Sequence, residues 1–241
     1  MAKKDQQHPW RMCPLGSHWR GPTKVRSHYR KGKPVKEHFR AGSCVANSSH
    51  LDQIYEDELQ KISQAHFNSL DGPPVSDDLG YKQGNDFDAI IRGWTKYWNE
   101  VIQVNPALDA NLVKALIATE SSFDPTVATK TTNPDKRAIG LMQVTGSSQK
   151  ILEDEKGELK DNLVNVSQRR LTDPTLNVAA GIRILFRKME IARKRNGKAS
   201  WLDAIQLYKG YSSNHPQMKK LEKLYKRLTT TKTINKTKVG K

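Results

Sequence analysis

Glu120 is the residue whose setting most invites chemistry. It ends an apolar run carried by Leu112, Val113, Ala115, Leu116 and Ile117, and Ser121, Ser122 and Phe123 follow it. The spacing predicts a helix from an N-cap at Asp109 up to Glu120, and Pro125 forbids its continuation. A carboxyl group at that end meets the partial negative charge of a helix C-terminus and partial desolvation. Both disfavour the carboxylate and raise its pKa toward the range in which a general acid is most effective. The plainer reading is a solvated acid at a helix end, and position alone leaves both open. Neighbouring acids read as structural: Asp124, directly before Pro125, as the Asx-type residue of a turn, and Asp135 and Asp173 as turn and helix-start residues. Ser121 as a nucleophile would need a base, yet no histidine lies between residues 107 and 211, and His215 only follows.

A second set of chemical groups lies near the N-terminus. Cys13, His18, His28, His38 and Cys44 fall within 32 residues, which raises a metal site, although no Cys-x-x-Cys or His-x-x-x-His pair is present. The histidines belong to a repeat with a period of ten: His18-Trp19-Arg20, His28-Tyr29-Arg30 and His38-Phe39-Arg40, punctuated by Gly21-Pro22 and Lys31-Gly32-Lys33-Pro34. Short β-prone pieces between turn residues predict a small hairpin or meander, too small to bury a core of its own. Three readings stand: metal ligation, a repeated cationic and aromatic surface that stacks on bases or sugar rings, and an unstructured tail. With both cysteines in this arm, the redox compartment stays open.

The elements that must position Glu120 read as helices. Leu51, Ile54, Tyr55, Leu59 and Ile62 have the spacing of one amphipathic helix over 51–70, closed by Asp71-Gly72-Pro73-Pro74, and the polar stretch through Gly84 reads as a linker. From Phe87 to Ile102 a strongly apolar helical face begins the compact domain. Pro174 opens another helix, Ser200 with Asp203 forms a capping box for the next, and Pro216 starts a last helix, beyond which a Lys- and Thr-rich tail is expected to be disordered. The division is therefore 1–50, a basic repeat arm; 51–85, helix and linker; 86–228, the compact domain; and 229–241, a basic tail. Charge divides the chain into three stretches of its own. Residues 1–50 hold 11 Lys or Arg against 2 acids and residues 209–241 hold 10 against 1, whereas 51–208 hold 20 against 22. Basic arms around a neutral middle imply an anionic partner: nucleic acid, a membrane surface or a cell-wall polymer. No apolar run reaches the ~18 residues of a membrane span and no ordinary signal peptide is visible, so a soluble chain is expected.

Four blocks in order resemble the soluble lytic transglycosylases. The first is the apolar helix ending in Glu-Ser, then Phe and Pro: Ile117, Glu120, Ser121, Phe123, Pro125. The second is Gly-Leu-Met-Gln, Gly140 to Gln143, after Ala138; the third is Asp173, Pro174, Asn177 and Gly181. In the fourth, where that family usually shows Ala-Tyr-Asn-Ala-Gly, the chain reads Leu207-Tyr208-Lys209-Gly210-Tyr211, so Lys209 replaces an asparagine. Residues Thr131 to Arg137 lengthen the loop before Gly140. The resemblance spans roughly residues 107 to 211 and does not extend to the arms.

The resemblance implies a mainly α, lysozyme-like domain with a groove for glycan strands, flanked here by the basic N-terminal repeat segment and C-terminal tail. It implies a peptidoglycan lytic transglycosylase with Glu120 as its one catalytic acid and base, no second indispensable acid, and no cofactor or metal. Ser121 would support Glu120 or contact the sugar, with a purely structural hydrogen bond as the alternative. Gly140 and Met142 would shape the groove, unless Met142 is simply core. Gln143 would offer an amide, and Tyr208 would bring its hydroxyl to the site unless it is only a packed aromatic. The expected partners are peptidoglycan glycan strands, with anionic polymers or a delivery machine reached through the arms, and the protein is expected to be a monomer. It would act at the bacterial cell wall after delivery by phage lysis, a virion or specialised secretion. The rival readings are a hydrolytic muramidase on the same fold and a non-catalytic wall- or nucleic-acid-binding module.

Overall fold

The computed structural model describes residues 7–49 and 51–238, with backbone alone for 231–238. The N-terminal repeat forms six short strands, β1 (Ser17–Arg20), β2 (Thr23–Val25), β3 (His28–Arg30), β4 (Lys33–Val35), β5 (His38–Arg40) and β6 (Ser43–Ala46). They nest as one antiparallel hairpin: β1 pairs with β6, β2 with β5 and β3 with β4, and His18 opposite Val45, Thr23 opposite Arg40 and Arg30 opposite Lys33 keep a single register. Lys31 and Gly32 turn the chain with φ of 49° and 74°, the pair of positive values that a two-residue type I′ turn requires. At the base, Cys13 and Cys44 form a disulfide with Cα atoms 5.5 Å apart.

That bond removes both thiolates from the metal set considered above. The histidines do not converge either. His18 meets Asn47 and stacks on Tyr55 at 3.7 Å, while His28 and His38 turn Nδ1 back to the carbonyls of Arg26 and Lys36. The two longer copies of the repeat thus share a local backbone contact at the breaks between strands.

Beyond the hairpin the chain runs through β7 (Gln53–Tyr55), α1 (Glu56–His66), α2 (Asp88–Ile102), α3 (Ala110–Glu120), β8 (Ala138–Ile139), β9 (Val144–Thr145), α4 (Gly146–Glu153), β10 (Leu163–Asn165), α5 (Pro174–Asn196), α6 (Trp201–Lys209) and α7 (Pro216–Lys238). Apart from the hairpin, paired strand among the described residues is the parallel pair of β7 with β10 and the antiparallel pair of β8 with β9. The expected caps are present. Asp109 accepts from the Asn111 amide, Asp173 from Leu176, and Ser200 and Asp203 bond reciprocally.

Three expectations need correction. The helix placed over 51–70 begins only at Glu56, because Gln53–Tyr55 is drawn into pairing with β10. The polar stretch taken for a linker lies on the core: Leu79 is buried, and Val75 bonds to Asn111 and Lys114 of α3. The tail expected to be disordered continues α7 as backbone helix to Lys238. Residues 239–241 lie outside the described residues.

One core joins Ile54, Leu59, Ile62 and Phe67 to the aromatic stripe Trp94, Tyr97 and Trp98 of α2, to α3 and to the long α5. Among the described residues no helix is long and apolar enough to cross a membrane. The arm is fastened to this core through Arg11. Its side chain is 2% exposed, and the guanidinium donates to Glu58 at 2.6 Å and to Asp52 at 2.8 Å; Glu58 also receives the Trp19 amide. A buried charge on this scale is tolerated because every charge in the cluster has a partner.

Candidate active site

α3 is buried on all sides from Ala110 to Ala118, which explains its almost uninterrupted apolar sequence. Its one interior charge, Lys114, is fully buried and answered by Asp88 at 2.7 Å, Asn85 at 2.8 Å and the Val75 carbonyl at 3.0 Å. A helix held this firmly fixes its last residue, Glu120, at the edge of the core with its side chain 15% exposed.

Burial raises the Glu120 carboxyl above its ordinary pKa. The Lys209 ammonium pulls the other way without cancelling that effect. Lys209 Nζ donates to Glu120 Oε1 at 2.7 Å and to Thr119 Oγ1 at 3.2 Å. Lys209 is the last residue of α6, which the Ser200–Asp203 box starts and Gly210, with φ of 71°, stops. Two helix C-termini therefore meet at the site. The dipole of α3 disfavours the anion and that of α6 favours the cation.

Behind Glu120 the backbone reverses sharply. Ser122 and Phe123 take φ of 54° and 64°, a left-handed conformation costing ordinary residues roughly 1 to 2 kcal/mol each. The buried Phe123 ring, edge-on to Tyr81 at 5.5 Å, and the Ser121 hydroxyl, donating to the Leu141 carbonyl at 2.9 Å, hold that reversal. Asp124 closes it as an Asx turn by accepting from Thr126, which lowers its own pKa.

The facing loop is clamped from α5. Asn177, fully buried, donates to the Ile139 and Leu171 carbonyls and accepts from the Met142 amide, all at 2.8 Å. Gly140 lies so close beneath it, at φ of 75°, that a Cβ would fall 2.4 Å from the Leu171 oxygen and 2.5 Å from Asn177 Nδ2. Met142 is wholly buried and fills the space left by Gly181. Gln143 spends its amide N–H groups on the Val127 and Gly140 carbonyls, which leaves Oε1 as the end able to meet a ligand. Tyr208 donates to the Met142 carbonyl at 2.7 Å. Burial and the nearby Glu120 charge hold its hydroxyl well above its ordinary pKa.

The structure thus gathers Glu120, Ser121, Gly140, Met142, Gln143 and Tyr208 into one constellation. Within it Ser121 and Met142 face inward, and Glu120, Gln143 and Tyr208 keep some exposure. Asp135 pairs with Lys150 and Asp173 caps α5, each apart from Glu120. Sequence reasoning missed the Lys209–Glu120 pair. The lysine stood out as a replaced asparagine, but nothing local signals a contact with a residue 89 positions away. The Asn177 clamp was equally hidden, although Asn177 and Gly181 were singled out as a block.

The sequence model of one protein family, described as Transglycosylase SLT domain, matches residues 97–232, more than half of the chain. Curated proteins and solved structures gave no match.

Proposed function

The chain belongs to the SLT transglycosylase family, and from that premise we propose a peptidoglycan lytic transglycosylase in which Glu120 alone supplies acid and base. Its fold is the mainly α, lysozyme-like one, and its family acts on peptidoglycan. The observation that carries the finer reading is the setting of Glu120: a carboxyl raised by burial, at the end of a rigid helix, inside the matched segment.

The reaction runs in two proton transfers. Glu120, as the acid, gives its proton to the oxygen leaving from the MurNAc–GlcNAc β-1,4 bond, while the substrate's acetamido group assists at the anomeric carbon. As carboxylate it then takes the proton of the sugar's 6-hydroxyl, and that oxygen closes the 1,6-anhydro ring. The carboxylate exists between these steps, and Lys209 at 2.7 Å stabilises it there. The same cation works against the protonated form, so burial and the helix dipole must keep the acid available. In this reading Tyr208 and Gln143 Oε1 meet the sugar, and Ser121, Gly140 and Met142 act through the loop they hold. Action outside the reducing cytoplasm belongs to this reading, and the Cys13–Cys44 disulfide supports it.

Mass spectrometry of products released from purified peptidoglycan tests it. Anhydro-muropeptides from the unmodified protein, and about a hundredfold fewer or less from Glu120→Gln, are expected. Reducing-end products would instead mean a hydrolytic muramidase, and no release from either protein would favour a binding module.

A further inference from the structure

The hairpin over 17–46 has no part in the constellation around Glu120, yet it carries 8 Lys or Arg against one acid, Glu37. Its unbroken register decides how they are displayed. Side chains alternate between the two faces of a strand pair. Arg20, Lys24, Arg26 and Arg30 therefore share one face with Lys33 and Phe39 of the returning strand, and the Lys24–Glu37 ion pair across that face agrees. All five cations are exposed, and Phe39 is 72% exposed. Arg20, Arg26, Arg30 and Lys33 have no acidic partner among the described residues. The outer strands bury no core, so these residues are not kept for packing. An isolated hairpin is marginal in water, and this one is held by a type I′ turn, a disulfide and the Arg11 cluster. Like charges concentrated on so small an element repel one another, a cost that an anionic partner offsets.

We propose that this face docks a phosphodiester polymer of the cell wall, of the polyol-phosphate kind attached to glycan strands. Repeating phosphates complement a row of cations without demanding one exact sugar, and the exposed Phe39 offers an apolar platform beside them. The disulfide argues for the wall polymer over nucleic acid, because such bonds persist in oxidising compartments, where wall polymers are the accessible polyanion. The choice of polymer rests on the wall-acting reading above; the cationic display does not.

The test is co-sedimentation of full-length Glu120→Gln protein, which binds without cutting, with sacculi that carry the polymer and with sacculi stripped of it by phosphodiester cleavage. Binding to the first and at least tenfold weaker binding to the second is expected. With about five phosphate contacts, affinity should fall roughly a hundredfold between 50 and 200 mM salt. Combined substitution Lys24→Gln, Arg26→Gln, Arg30→Gln and Lys33→Gln leaves Arg20 alone on that face and should cut the loss over the same salt range to about threefold, with the melting temperature and the disulfide intact. Equal binding to stripped sacculi, binding insensitive to salt, or unchanged binding by the fourfold variant overturns the proposal. Stronger competition by a single-stranded oligonucleotide than by the purified polymer overturns it in favour of nucleic acid. Because binding is read without turnover, failure of the transglycosylase reading shows separately, as absent anhydro products from the unmodified protein.

Discussion

The hairpin and the body keep their shapes by opposite means. The body buries three aromatic residues of α2, nearly all of α3 and most of α5, and among its interior polar groups Lys114, Asn177 and Arg183 each make two or more hydrogen bonds. The hairpin buries almost nothing and leaves Tyr29 and Phe39 more than two thirds exposed, so covalent and turn constraints replace a core. The contrast fits what each would offer under the two proposals. A proton donor needs a desolvated and rigid setting, because burial is what lifts Glu120. A charged surface needs the reverse: exposure, reach and freedom from internal ion pairs.

Substitutions test the two regions separately. The largest effect belongs to Glu120→Gln, which should reduce turnover by about 10²- to 10⁴-fold with sacculus binding retained, read by product release and sedimentation. Lys114→Met should destabilise the body by about 3 kcal/mol in urea unfolding, the low end for a broken buried pair, because Asp88, only partly buried, is left without its cation. Removing the Cys13–Cys44 bond by paired serine substitution frees a loop of 31-residue separation. It should cost about 3 to 4 kcal/mol in the chain-entropy picture. Amide exchange should then rise over 17–46 and stay slow in α3 and α5. Equal loosening of both regions would sink the distinction drawn here.

Smaller effects probe the site alone. Lys209→Asn removes the cation that lowers the Glu120 pKa, so that pKa should rise further. The acid form then survives to higher pH, and the limb on which kcat/KM falls with rising pH should move in the alkaline direction. A limb that stays in place, or moves to lower pH, would mean that Lys209 does not act on Glu120 during turnover. Asp124→Asn keeps the Asx acceptor for Thr126 and should leave product release unchanged, whereas a large loss would make Asp124 a second catalytic acid.

Much of the site was legible because its signals are local. An apolar helix ending in Glu120, its cap at Asp109, the stop at Pro125 and the Asx role of Asp124 all follow from residues within one or two turns of each other. The hairpin too was foreshadowed by its punctuated repeat. Its register was not, because three copies at a period of ten fit a meander as well as a single nested pair of strands. Helix, cap and turn thus come from the sequence alone, since backbone preferences act over a few residues. Tertiary structure alone decided that Lys209 meets Glu120, that Asn177 clamps Gly140 to Met142, that Gln53–Tyr55 leaves its helix for β10, and that Cys13 finds Cys44. Each of these joins residues more than 30 positions apart, or answers a partner that distant. Such pairings are selected by the packing of the whole core and carry no local signature.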